Sequence, residues 1–275
     1  MNLPAVRLHA LAVAVAVAIV VAHHVVVHSG RERRRAEGAA LLWLAVTTWP
    51  IGDLAAGVSL SVATLQRLVI MLGVAPLAIA SVPLTLWVRV TRPAPLDAVA
   101  SRLAHPGVAL VVVSLVGTAS LMPVVVDAGA HSSIGRTLVL GLTIVAGVEL
   151  WLPILAPIPG ARHLSALARS GFLFAASLTV TSLSFVWIFA HHSLYPALTG
   201  QRKFLGISPL ADQQVAGFLA KLGAYLPMWA VAFTIFSRAD RVGEVESSPL
   251  HWADVERHLE RADRRAARAR RHRVG

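Results

Sequence analysis

Apolar residues fall into seven blocks along the chain. The blocks cover approximately residues 8–28, 39–49, 62–88, 107–126, 137–156, 170–190 and 214–236. Most of them are long enough for an α-helix to cross a hydrocarbon core of roughly 30 Å. The second block is the shortest, because Pro50 and Asp53 interrupt it early. No run alternates apolar and polar positions as the strands of a membrane β-barrel do. The pattern therefore predicts an all-α, polytopic membrane helical bundle of seven transmembrane helices within residues 1–236.

The overall composition agrees with a protein that lies in a membrane. Hydrophobic residues make up 56% of the 275 residues and charged residues only 14%, whereas a soluble domain carries about a quarter charged residues. Cysteine is absent, which excludes disulfides, thiolate metal ligands and covalent haem attachment. The sequence shows neither an internal repeat nor a second folded domain.

The distribution of basic residues predicts the orientation of the bundle. Of the 25 Lys and Arg residues, 19 lie in segments that would fall on one side of the membrane and four in segments on the other side. The positive-inside rule then puts the N-terminus outside and the C-terminus in the cytoplasm. An odd number of spans agrees with this orientation. If the first block is a secretory signal instead, the other six spans keep the same orientation.

Residues 237–275 form a separate basic segment after the last block. Trp252, Val255, Leu259 and Ala262 recur at helical spacing, which predicts a weakly amphipathic helix. Six arginines and no acidic residue follow within residues 264–275. We expect a cytoplasmic tail that binds the anionic headgroups of the lipid bilayer. A basic end on a membrane protein does not indicate nucleic-acid binding, so no nucleic-acid partner is expected.

Several possible metal ligands lie on the side that is predicted to face outward. Asp53, His131, His191 and His192 all fall near the outer ends of blocks. Imidazole nitrogens and carboxylate oxygens suit copper or another divalent metal. The four residues are therefore candidate metal ligands. The alternative is that these histidines cap helix ends and contact water.

Charged residues inside the apolar blocks need a separate explanation. Arg67, Glu149 and Lys221 each cost about 2.5 kcal/mol or more in a bilayer unless they are paired or hydrated. Both cations fall early in helices that run inward, so they belong to the outer third of the membrane. We hypothesise that Asp212 neutralises one of them. The candidate outer-face polar network consists of Gln66, Arg67, Asp212, Gln213, Gln214 and Lys221.

Four segments, in order along the chain, carry a resemblance to a known family. The segment "SPLADQQVAGFLAKLG" (208–223) resembles the SPL-x-DQQ-x-AG signature of the cytochrome c oxidase assembly factor CtaG family, a group of seven-helix bacterial membrane proteins. Residues 49–83, with their two-proline pattern, resemble the segment of that family that includes its third helix. "GVELWLP" (147–153) resembles its G-x-x-x-W-x-P helix, and "HSLYPAL" (192–198) its Tyr-Pro loop. The resemblance covers roughly residues 39–236.

The chain also departs from the family pattern where that pattern has histidines. A His-Met-x-x-His pair is usual at the start of the third helix, and the corresponding positions here are Ala63 and Arg67. A further His-x-x-His pattern corresponds to Thr137 and Leu140. If the family histidines bind a metal, this chain has lost most of that site.

The resemblance implies an assembly factor for a haem-copper respiratory oxidase, without enzymatic turnover. Its implied partner is an oxidase subunit, and copper is a possible cofactor at the outer face. One alternative is a copper or small-solute transporter, although the chain lacks inverted repeats. A metal-free membrane scaffold is a second alternative. A membrane enzyme is a third, but no hydrolase motif such as HExxH occurs.

Overall fold

The computed structural model describes residues 3–27, 29–161, 163–195, 206–242, 256–257 and 260–261. Within these ranges the regular structure is entirely helical, which confirms the predicted all-α class. The α-helices are α1 (Leu3–Val26), α2 (Gly30–Thr47), α3 (Ile51–Ala55), α4 (Leu60–Val69), α5 (Ala75–Ser81), α6 (Leu84–Thr91), α7 (Ala94–Leu103), α8 (Pro106–Ala119), α9 (Pro123–His131), α10 (Ser133–Leu155), α11 (Ala166–Val180), α12 (Ser184–Phe189) and α13 (Pro209–Val242). A π-helical turn, Ile70–Val74, joins α4 to α5.

Four helical stretches of the described chain are long and apolar enough to cross a membrane. They are Leu60–Ser81, Ser133–Leu155, Ala166–Phe189 and Pro209–Ala239. The pair α7 and α8 is bent by 68° and makes a fifth span if the two helices are counted together. The structure thus supports four to five spans by length and composition, fewer than the seven that the apolar blocks predict. The two blocks not counted are the first two: the part of α1 with described side chains gives the apolar stretch Ala12–Val25, and α2 begins with a run of arginines.

Three of the predicted blocks contain breaks that the hydrophobic pattern did not show. The helix predicted over 62–88 ends at Ser81, because Val82 precedes a proline and takes up extended backbone instead of helical backbone. The block 107–126 is divided where α8 ends and Pro123 begins α9. The block 170–190 is divided between Val180 and Ser184. Helix α13, in contrast, continues to Val242, six residues beyond the predicted end of the last block. Most of the predicted tail after Val242 lies outside the described residues.

The core lies where α5, α8, α10, α11 and α13 meet. Its buried members are Ala75, Ile79, Ala109, Val113, Leu150, Trp151, Phe172, Leu173, Ala176, Ala224 and Met228. Large apolar side chains also cover the outside of the bundle, and Leu138, Leu226 and Phe233 are 62–72% exposed. An exposed apolar surface of this extent marks an interaction with another apolar phase. The helices therefore present a membrane-type surface.

The π-helical turn is stabilised by a side chain from α10. In this turn the Ala75 N–H donates to the Ile70 carbonyl, five residues earlier. The same register would pair the next carbonyl, that of Met71, with residue 76, which is a proline and has no N–H. The indole Nε1–H of Trp151 donates to the Met71 carbonyl instead, at 2.8 Å. Gly147 lets α10 approach this closely, because an added Cβ there would lie 3.0 Å from the Met71 Cα.

Arginines mark one end of the bundle. Arg33 donates to the carbonyls of Val27 and His24 at the end of α1. Arg35 donates to the Ala80 carbonyl at the end of α5, at 2.9 Å. Cations are favourable at helix C-termini because the last carbonyls carry partial negative charge. This arginine end holds the last turns of α1 and α5 and the first turn of α2. The first turn of α4 lies at the other end, which we call the Asp212 end.

Candidate functional site at the Asp212 end

The buried carboxylate of Asp212 joins the first turns of two helices. Asp212 lies in the first turn of α13 and is 6% exposed. It accepts hydrogen bonds from the Ser59 hydroxyl at 2.8 Å and from the backbone N–H groups of Leu60 at 2.6 Å and Ser61 at 3.3 Å. The Ser61 hydroxyl in turn donates to the Asp212 carbonyl. A negative charge is favourable at a helix N-terminus, where backbone N–H groups lack partners within the helix. Asp212 thus stabilises the start of α4.

The next two residues reach two other parts of the chain. The Gln213 side-chain oxygen accepts from the Leu194 N–H at 2.8 Å, and the Gln214 side chain donates to the carbonyl of Ala190, just after α12. Successive residues on a helix point about 100° apart, so the three polar side chains contact three different neighbours. The Asp-Gln-Gln sequence thereby joins α13 to α4, to the segment after α12 and to the end of α12. We call residues 59–61, 190–195 and 212–214 the Asp212 junction.

Tyr195 extends this junction to α8. Its hydroxyl donates to the Leu121 carbonyl at 2.7 Å, and its ring packs edge-on against Trp187 with ring centroids 5.8 Å apart. Burial raises the pKa of the Tyr195 phenol above its usual value, and it outweighs the opposing effects of Trp187 and of the Arg67 charge. The hydroxyl therefore stays protonated and remains a hydrogen-bond donor.

Arg67 binds the end of α8 rather than a carboxylate. Its guanidinium donates to the carbonyls of Ser120 and Gly117 and to the Ser120 hydroxyl. The hypothesis that Asp212 neutralises Arg67 or Lys221 is therefore wrong: Asp212 bonds to the start of α4, and neither cation is paired with it. The partially negative C-terminus of α8 takes the role that was assigned to the carboxylate.

Lys221 lies in a cage of aromatic and hydroxyl groups. Its ammonium donates to the Tyr225 hydroxyl at 2.7 Å and to Thr181 at 3.4 Å. It also lies 3.9 Å from the centroid of the Phe185 ring, a cation–π distance. Lys221 thus contacts the break between α11 and α12 and does not share a network with Arg67 in the described chain.

Gln66, another member of the predicted network, donates to the Val46 carbonyl of α2 at 2.7 Å.

A cavity of about 80 Å³ lies beside Arg67, between α2, α3, α4, the residues just after α8, α9 and α10. Its polar lining includes Ser59, Thr64, Arg67, Ser120 and Arg136. Apolar residues and glycines make up most of the remaining wall. We call this space the arginine cavity. Within the described part of the chain, the Arg136 Nε and the Thr64 hydroxyl are buried without a hydrogen-bond partner.

The predicted metal ligands are not brought together by the described residues. His131, His191 and His192 are exposed, and the His131 ring nitrogen bonds to the Asp127 carbonyl of its own helix. Asp53 lies in α3. Across the described ranges, no group of three or more His, Asp or Glu side chains is placed to hold a metal ion. These four residues therefore do not form a common site here.

Most positions at which the chain departs from the family pattern line the arginine cavity. Ala63, Arg67 and Leu140, three of the four positions where the resemblance implies histidines, all line it. The fourth, Thr137, is exposed. The lining of the cavity offers two guanidinium groups and no imidazole, carboxylate or thioether. Guanidinium groups do not ligate cations, so these residues do not fit a copper ion.

Sequence reasoning missed several residues that build this end of the molecule. Ser59 is the N-cap of α4, and its hydroxyl accepts from the Val62 N–H. A serine directly before an apolar helix is the sequence signal that could have identified it. Along the sequence Arg136 contributes only to the count of basic residues, and no pattern singles out Thr64. Both line the cavity because α9 and α10 lie across it from α4. No spacing along the sequence indicates that convergence.

A comparison with models of protein families gives the same family as the four sequence segments. The model for the cytochrome c oxidase caa3 assembly factor matches residues 36–241, well over half of the chain. No curated protein and no solved structure matches. The matched range contains the Asp212 junction, the arginine cavity and the contact between Trp151 and the π-helical turn. The chain therefore belongs to the cytochrome c oxidase caa3 assembly factor family.

Proposed function

We propose that this protein is a multi-pass assembly factor for a haem-copper respiratory oxidase in a bacterial plasma membrane. The single observation that carries the proposal is the family match over residues 36–241. The four to five helices able to span a membrane support a membrane location. The finer topology of seven spans, with the N-terminus outside and the C-terminus in the cytoplasm, is part of the proposal and rests on the positive-inside rule.

In this proposal the protein acts by binding an oxidase subunit and holding it during assembly, without enzymatic turnover. The Asp212 junction supports such a role, because it joins α4, α13 and residues 190–195 through hydrogen bonds that are buried or partly buried. A platform of this kind keeps its shape while a partner binds. The exposed apolar helix faces supply the surface that a membrane-embedded subunit can contact.

Gene deletion tests this proposal directly. Removing the gene from its bacterium is expected to lower haem-copper oxidase activity and the amount of assembled oxidase on native gels. A plasmid copy of the gene is expected to restore both. Normal oxidase levels in the deletion strain would contradict the proposal, because an assembly factor without an effect on its oxidase has no such role.

Copper handling at the outer face stays a prediction and has its own measurement. If it is right, the purified protein retains one copper per chain after loading, and a variant with His131, His191 and His192 all changed to Ala loses it. Equal copper contents in the two proteins would show that these histidines do not bind the copper. If neither protein retains copper, the protein would be an assembly scaffold that binds no metal.

A further inference from the structure

The arginine cavity combines two cationic groups with no lining carboxylate. Arg67 approaches from α4 and Arg136 from α10. Of the carboxylates nearby, Asp212 bonds to the start of α4, and Asp53 and Asp127 each have an interaction already. A cationic group that is largely removed from water is stabilised by an anion beside it. The cavity therefore favours an anion.

The hydrogen-bond donors of the cavity point to the same kind of ligand. A guanidinium has five N–H groups, and the hydrogen bonds of Arg67 to Gly117 and Ser120 use three of them. The Arg136 Nε and the hydroxyl of Thr64, which is 4% exposed, are buried and unpartnered within the described chain. Such donors are usually satisfied in proteins. An acceptor with several oxygens could satisfy all three residues together.

The dimensions of the cavity fit a small oxyanion. Its volume is about 80 Å³, whereas a single water needs roughly 10–15 Å³ by the same kind of measure. The wall contains Leu60, Leu121, Val126, Val139 and Leu140, so the ligand would lie in a medium of low polarity. Electrostatic attraction is stronger in such a medium than in water.

We propose that the arginine cavity binds a phosphate-type oxyanion through Arg67, Arg136 and Thr64. The anion is either free inorganic phosphate or the phosphate group of an acidic phospholipid. This site is independent of the proposed assembly role, and it needs no metal. It lies among α2, α3, α4, α9, α10 and the residues just after α8, next to the Asp212 junction.

Equilibrium binding to the purified full chain tests the proposal. The protein is titrated with inorganic phosphate by calorimetry in an uncharged detergent, with the ionic strength held constant by chloride. We expect saturable binding of one phosphate per chain. The Arg136→Gln variant should bind about tenfold more weakly, because it loses a charge-assisted hydrogen bond. Thr64→Val should weaken binding about threefold.

The matched control is Arg102→Gln, which removes the same charge from an exposed side chain of α7 outside the cavity. It should bind phosphate as the original chain does. Size-exclusion profiles and thermal midpoints show whether each variant is folded. Equal phosphate affinity in folded Arg136→Gln and in the original chain would overturn the proposal.

A second arm distinguishes the two sources of the anion. Phosphatidic acid is added to the detergent micelles, and phosphatidylcholine serves as the comparison lipid. If phosphatidic acid displaces phosphate, or binds where phosphate does not, and Arg136→Gln abolishes the effect, the ligand is a lipid headgroup. Phosphate binding that phosphatidic acid leaves unchanged identifies a free anion. Saturable binding of neither probe would overturn the proposal.

Discussion

The Asp212 junction and the arginine cavity lie side by side and satisfy their polar groups in opposite ways. In the junction, the carboxylate of Asp212 accepts three hydrogen bonds from the start of α4. In the cavity, Arg136 and Thr64 have donors without partners among the described residues. Ser59 belongs to both regions, since it binds Asp212 and lines the cavity. The junction has the character of a structural element, and the cavity that of a binding site.

One polar atom of the junction is an exception to this contrast. The amide nitrogen of Gln213 is buried and has no hydrogen-bond partner among the described residues, although the oxygen of the same side chain accepts from Leu194. The junction therefore also contains one unused donor. A single unsatisfied amide costs less than an unpaired guanidinium, because the guanidinium carries a charge. The two regions thus differ chiefly in charge balance.

The largest expected effect follows from removing the carboxylate of the junction. Asp212→Ala leaves the Ser59 hydroxyl and two N–H groups of α4 buried without an acceptor, which should lower the free energy of unfolding by about 3 kcal/mol. Asp212→Asn keeps one acceptor oxygen and should cost about half as much. The measurement is thermal unfolding in detergent. An unchanged midpoint for Asp212→Ala would mean that the junction is not a structural element.

A smaller effect is expected from Tyr195→Phe. The variant loses the hydrogen bond to the Leu121 carbonyl but keeps the ring against Trp187, so it should cost about 1 kcal/mol at neutral pH. Burial raises the pKa of this phenol, so above about pH 10 the unfolded chain releases the proton first. Stability should therefore fall as the pH rises through this range, and fall less steeply for Tyr195→Phe. Parallel pH profiles for the two proteins would contradict this expectation.

The smallest effect on stability is expected in the cavity. Arg136→Met removes a partly buried guanidinium whose Nε has no partner in the described chain. Replacing such a charge by an apolar group of similar length should change the free energy of unfolding by less than about 1 kcal/mol, and in the stabilising direction without added phosphate. The midpoint in phosphate-free detergent checks this. A loss as large as that of Asp212→Ala would show that Arg136 belongs to the structural framework.

The sequence was informative about which residues matter and less informative about which of them meet. The Asp-Gln-Gln motif led to the correct end of the bundle and to the family. The proposed pairing of Asp212 with Lys221 failed for a geometric reason: nine residues along an α-helix are about two and a half turns, so the two side chains point to opposite sides. That rotation could have been read from the sequence. The same holds for the helix break at Val82, because Pro83 follows it.

Other contacts could not be predicted from one sequence. Arg67 lies 69 positions before Arg136 in the chain, and both line the cavity only because α10 packs against α5, α8 and the π-helical turn that follows α4. The Trp151–Met71 hydrogen bond likewise requires a π-helical turn, and the hydrophobic pattern of residues 60–81 continues through that turn without a signal. Local patterns give helices and their faces, whereas the relative placement of helices depends on tertiary packing.

The π-helical turn also has a consequence for insertions and deletions. A π-helical turn holds one residue more than an α-helical one, so deleting a residue from Ile70–Val74 would leave a continuous α-helix. Such a deletion would keep α4 and α5 aligned, because only the extra residue of the turn is lost, whereas an inserted residue would rotate α4 against α5 by about 100°. After the insertion, either Arg67 would leave the cavity or Met71 would leave Trp151. This stretch should therefore tolerate the loss of one residue better than the gain of one.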